Sequence, residues 1–143
     1  MSIETIRADF ALLDEWEDRY RYLIELGRGL PPFPEALRTD ANKVRGCVSQ
    51  VWLASALKRD ANGTGPVLEF QGDSDAHIVR GLVAVLFALL QGRTSEQILR
   101  ADAKAVFAEL GLAQHLTPQR SNGFFSMVER IRADARAAAA TAA

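Results

Sequence analysis

Residues 78–90, Ile-Val-Arg-Gly-Leu-Val-Ala-Val-Leu-Phe-Ala-Leu-Leu, are apolar at almost every position. A helix with that composition has no face to offer water, so other elements must wall it in. Its unbroken apolar part, residues 82–90, is far shorter than the roughly 18 to 20 residues that span a bilayer. The segment therefore predicts the central helix of a core. Gly72-Asp73-Ser74-Asp75 just before it offers capping oxygens and negative charge suited to a helix N-terminus.

The cover for that helix is legible on both sides. Ile3, Ile6, Phe10, Leu13, Trp16, Tyr20, Leu23 and Ile24 recur at helical spacing, which predicts one long amphipathic helix. It should end near Gly27, because Gly29, Pro31, Pro32 and Pro34 cannot continue it. Residues 35–38 suit one short turn. A polar stretch, 39–47, leads into a strand over 51–57. Asp60, Asn62, Gly63, Gly65 and Pro66 make a turn, and 67–71 alternates as a second strand, giving a hairpin. Thr94 and Gln97 have capping-box spacing, residues 104–110 make a helix ended by Gly111, and Phe124, Phe125, Val128 and Ile131 stripe a last helix. The fold class is α+β: a small antiparallel sheet packed against helices. At 143 residues one domain is expected, over 1–136, with 137–143 an Ala-rich tail that frays.

Acids and bases nearly balance, with a formal charge of -1. No basic field marks the chain for nucleic acid or an anionic membrane. The first residues lack a basic start followed by an apolar block, so a cytoplasmic location is expected. The chain has one cysteine, Cys47. One thiol excludes an internal disulfide and is too few for a structural zinc or iron–sulfur site. No metal site and no cofactor are expected.

Cys47 lies in Asn42-Lys43-Val44-Arg45-Gly46-Cys47-Val48-Ser49-Gln50. A free cysteine is often only a small buried hydrophobe. Two neighbours argue for chemistry: Gly46 permits close approach or unusual backbone geometry, and Lys43 and Arg45 would lower the thiol pKa. His77 or His115 would serve as base if the chain were a Cys/His thiol enzyme. Arg120-Ser121-Asn122-Gly123 reads either as a turn with a helix cap or as an arginine presented near the thiol. Trp16 and Trp52 read as core or interface anchors. An interaction module with an inert buried cysteine and a thiol enzyme both stay open at this point.

Three segments together resemble the SufE family of cysteine desulfuration proteins. They are Asn42-Lys43-Val44-Arg45-Gly46-Cys47-Val48-Ser49-Gln50-Val51-Trp52-Leu53, Gly72-Asp73-Ser74-Asp75-Ala76 with Ile78-Val79-Arg80-Gly81-Leu82, and His115-Leu116-Thr117-Pro118-Gln119-Arg120-Ser121-Asn122-Gly123. The first helix, with Trp16-Glu17-Asp18-Arg19-Tyr20 and Ile24-Glu25-Leu26-Gly27, is similar too. Val48 departs from the Gly-Cys-Gln-Ser-Gln pattern of many members. The resemblance implies a fold similar to the IscU-type scaffold proteins. It also implies that Cys47 is a persulfide acceptor for a cysteine desulfurase, which the chain would stimulate before passing sulfur to an iron–sulfur scaffold complex. PLP would belong to the desulfurase, and this chain would be a carrier, not an enzyme. Arg120, Lys43, Arg45 and His115 are then the supporting residues, and Gly46, Val48 and Asp73 lie on the docking face. The polar loop over 42–47 would swing to expose the sulfur. The sequence leaves a homodimer open.

Overall fold

Helix α3, His77–Leu90, is the centre expected of it, with Ile78, Leu82, Val83, Leu86 and Leu90 all buried. The computed structural model describes residues 2–47, 49–59 and 66–142. Around α3 stand α1 (Ile3–Leu12), α2 (Trp16–Arg28), strands β1 (Val51–Arg59) and β2 (Pro66–Ser74), α4 (Ser95–Arg100), α5 (Ala103–Glu109), α6 (Leu112–His115) and α7 (Pro118–Ala142). Single 3-10 turns at Glu35–Leu37 and Asp40–Asn42 link α2 to β1.

The single long first helix expected from the periodicity is two helices. Leu13 and Glu15 are extended. The Arg19 guanidinium donates to the Leu13 carbonyl at 2.7 Å and to the Phe10 carbonyl at 3.1 Å, the latter shared with the Leu13 amide, and so fastens the end of α1. The apolar rhythm survives the break because Ile3, Ile6 and Phe10 from α1 and Leu23 from α2 enter the same core. The Tyr22 hydroxyl donates to Asp9 at 2.5 Å, and its ring meets Phe10 edge-on, tying the two helices together.

Helices α2 and α3 meet backbone to backbone. A Cβ on Gly27 would stand 2.7 Å from the Gly81 nitrogen, and one on Gly81 would overlap the Leu23 carbonyl. Only glycine fits on both sides of this crossing.

Strands β1 and β2 form a two-stranded antiparallel hairpin, with Leu53 opposite Gly72 and Ser55 opposite Phe70. The expected turn residues Asp60, Asn62, Gly63 and Gly65 lie outside the described residues. Strand β2 runs further than expected and takes in Gly72, Asp73 and Ser74. These residues therefore do not cap α3, whose N-cap, Ala76, has no side-chain cap bond. Ser74 Oγ instead accepts from the Ala76 amide at 3.2 Å. On the outer edge of β2 the Gln91 amide pairs with both main-chain groups of Phe70, accepting at 2.5 Å and donating at 2.8 Å.

The C-terminal half follows its signals closely. Thr94 and Gln97 form the capping box of α4, and Gly111 closes α5 with φ +73°. Residues 120–123, read as a turn with a cap or as an arginine presented near the thiol, lie inside α7, because Thr117 upstream takes the capping role: its Oγ1 accepts from the Arg120 amide at 3.3 Å. The Ala-rich segment expected to fray continues α7 to Ala142, with Ala138 buried against the core. No described helix is long and apolar enough to cross a membrane.

Candidate functional site

The segment bearing Cys47 is fastened at both ends. Upstream, the Val44 amide donates to the Val51 carbonyl at 2.8 Å, and Lys43 bridges to Trp52. Downstream, Gln50 shares two hydrogen bonds with Asp75. The upstream half of the loop expected to swing over 42–47 is hydrogen-bonded: the Asn42, Lys43 and Val44 amides all have main-chain acceptors. Val48 lies outside the described residues.

Gly46 takes φ +88°, a conformation that L side chains rarely adopt, and a Cβ there would stand 2.6 Å from Ser126 Oγ on α7. This left-handed step turns Cys47 inward. Its thiol donates to the Gly123 carbonyl of α7 at 3.6 Å. A Cβ on Gly123 would come to 3.6 Å from the sulfur, so glycine leaves a free space at that point.

The sulfur faces a cleft of about 270 Å³ lined by Cys47, Ser49, Val79, Leu82, Thr117, Gln119, Arg120, Gly123 and Phe124. Valine, leucine and phenylalanine make its floor, and Thr117, Gln119 and Arg120 supply polar groups. All three segments singled out in the sequence contribute to this one wall. A second cleft, on the Asp40, Lys43, Val44, Arg45 and Gly46 side, also reaches Cys47. The cysteine is therefore addressable from two directions.

Burial pushes the Cys47 thiol above its ordinary pKa. The lowering expected from Lys43 and Arg45 is not found; both side chains are exposed, where water screens them. Arg120 is the cation that shares the inner cleft with the sulfur. His115 stacks flat on Trp16, ring centroids 4.5 Å apart, and neither it nor the exposed His77 lines a cleft beside Cys47. Among the described residues the sulfur's hydrogen-bond partner is a carbonyl, not an imidazole. No described group of three or more His, Cys, Asp or Glu side chains is placed to hold a metal.

Asp73 is engaged within the chain. Arg38 holds it at 2.6 Å and Arg80 at 3.1 Å, and its side chain is 17% exposed. Arg38 also lies over the rings of Phe33 and Trp52, 5.2 Å and 4.9 Å from their centroids. This cluster orders the strand of chain that feeds the Cys47 loop. One contributor escaped sequence reasoning: Ser126, which has no local signal.

Comparison with known proteins agrees with this geometry. The family model "SufE: Fe-S metabolism associated domain" matches residues 4–135. An uncharacterized SufE-like protein of Rhizobium meliloti (strain 1021) is 54% identical over 134 residues, covering 94% of each chain. An uncharacterized SufE-like protein of Rhizobium etli is 51% identical over 139 residues, covering 97% of this chain and 93% of the other. The solution structure of a hypothetical protein from Thermus thermophilus has the same fold, with TM-score 0.75 at 21% identity over 98% of this chain and 99% of that one. With the family model matching nearly the whole chain and half the residues shared with its relatives, the chain belongs to the SufE family.

Proposed function

We propose that this protein is a sulfur carrier: Cys47 takes a sulfur atom from the persulfide of a cysteine desulfurase, stimulating that enzyme, and delivers it to iron–sulfur cluster assembly. The convergence of the three SufE-like segments on the cleft at Cys47 is the observation that carries this reading. The Cys47 thiol first loses its proton to water as the loop opens. Its thiolate then attacks the terminal sulfur of the donor persulfide. A new sulfur–sulfur bond forms on Cys47, the donor's own bond breaks, and the donor cysteine leaves as a thiolate, with no net oxidation or reduction. PLP chemistry belongs to the donor enzyme, and the chain acts in the cytoplasm as a carrier and activator without turnover of its own.

The inner cleft suits the product. A persulfide is open to attack by solvent thiols, and the apolar floor of Val79, Leu82 and Phe124 gives the terminal sulfur a place away from them. Arg120 at the same cleft stabilises the anionic form when the sulfur is ionised. Lys43, Arg45 and Gly46 present the outer side of the loop to the docking enzyme.

The test is direct. Incubation with a cysteine desulfurase and cysteine, followed by intact mass without reductant, should add one sulfur atom to the wild type and none to Cys47→Ser. A wild type that gains no sulfur, or a serine variant that still gains it, overturns the reading.

A further inference from the structure

The inner cleft is larger than one added sulfur atom requires. At about 270 Å³ it approaches the lower end of the roughly 300 to 1,000 Å³ found for pockets that hold small organic ligands. A lone terminal sulfur would leave most of it unused. Its walls are also ordered from apolar to charged. Val79, Leu82 and Phe124 are all buried side chains, and sulfur atoms bonded only to sulfur are apolar and polarisable, suited to aliphatic and aromatic walls. Thr117, Gln119 and Arg120 supply the polar side. The Arg120 guanidinium is partly buried and makes no ion pair or hydrogen bond with another described residue. A cation so placed favours an anionic ligand.

The position of the charge decides how long that ligand is. The Gly123 carbonyl stands 3.6 Å from the Cys47 sulfur. An anion on the first added sulfur, one bond of about 2.05 Å away, is still close to that oxygen and repelled by it. Each further sulfur moves the charge away from the carbonyl along an apolar wall and gives it more reach within the cleft that Arg120 lines.

We propose that Cys47 carries a chain of more than one sulfur atom, laid along the apolar floor of the inner cleft with its charged end at Arg120. The proposal rests on the carrier reading above and deepens it. Growth repeats the first transfer. The anionic terminal sulfur of the Cys47 persulfide attacks the terminal sulfur of a freshly loaded donor persulfide. A sulfur–sulfur bond forms on the growing chain, the donor's own bond breaks, and the donor cysteine leaves as a thiolate. The proton of the transferred sulfur passes to water, so the new terminus is again an anion. Each step moves one sulfur atom and needs no oxidant or reductant.

The test loads the full chain with a cysteine desulfurase and cysteine, caps the terminal sulfur with iodoacetamide, and records intact mass without reductant. With cysteine limiting, the adduct should be the single sulfur expected above. With cysteine in large excess, adducts of two or more sulfurs should become at least as abundant as the single one. Cys47 is the one cysteine, so Cys47→Ser should show none of them. The ratio of longer chains to single sulfur, compared at equal total sulfur per protein, should fall at least about fivefold in Arg120→Gln, which removes the charged partner of the anion. In Gly123→Ala, whose Cβ would meet the Cys47 sulfur at 3.6 Å, the narrowed space should lower the same ratio. A wild type that stops at one sulfur in excess cysteine overturns the proposal and leaves the carrier reading standing. A ratio unchanged in both variants overturns it as well, because the chain would then grow outside the cleft. A wild type that gains no sulfur at all removes the carrier reading and this proposal together.

Discussion

At Cys47 shelter and reactivity oppose each other. The half-buried thiol donates to a carbonyl, a partner that welcomes the protonated form and repels a thiolate. On the proposed carrier role, the sulfur would have to leave this carbonyl to ionise fully. The folded state raises the thiol pKa, so its contribution to stability is complete below the ordinary value and fades as pH rises through the raised folded value. Alkylation of native Cys47 measured against pH should accordingly show a midpoint above 9.0, returning to the ordinary value in denaturant. A native midpoint below 9.0 would mean that cations, not burial, control the thiol. The sequence pointed to Cys47 as its one cysteine, and the unusual backbone it expected at Gly46 is present, with φ +88°. It misjudged the electrostatics because the spacing of Lys43 and Arg45 along the chain says nothing of how far water separates them from the sulfur.

Among the elements, periodicity was informative wherever an apolar stripe met a capping signal, as in α4 with Thr94 and Gln97. It failed where two elements shared one stripe. Helices α1 and α2 kept the same apolar phase through their break, and only the side chain of Arg19, folding back onto carbonyls, reveals the corner. The Gly27–Gly81 crossing was equally hidden, since a glycine in a helical pattern gives no hint of what approaches it. Substituting Gly81→Ala puts a methyl group into the Leu23 main chain. Neither helix can yield locally, so a loss of about 3 kcal/mol or more is expected in urea unfolding. A variant with wild-type stability would show that the helices separate at little cost.

For the molecule as a whole, α7 acts as a strut. It supplies Arg120, Gly123 and Phe124 to the inner cleft and Ser126 beneath Gly46, then continues past the hairpin. There Asp134 accepts from Ser55 Oγ at 3.1 Å, and Arg130 and Arg132 donate to the Leu53 and Leu99 carbonyls at 3.4 Å and 2.9 Å. The alanine-rich end reads as a tail that frays because alanine has too little side chain to declare a buried face. Ala138 is nonetheless part of the core. Truncation after Arg136 should lower stability by about 1 kcal/mol, the scale of one small buried side chain with its helical turn. Unchanged thermal unfolding would return those residues to the status of a loose end.

The pairing of Gln91 with Phe70 bears on how the protein lives among its own copies. A two-stranded hairpin has two open margins, and each is an invitation to any extended chain that drifts past. Along β2 that invitation is withdrawn: the Gln91 amide imitates a neighbouring peptide unit and occupies both groups of Phe70, while the Leu68 amide and carbonyl are taken by Arg93 and Gly92. One glutamine after the central helix thus stands in for a third strand, and sheet growth from hairpin to aggregate is blocked on that side without lengthening the chain.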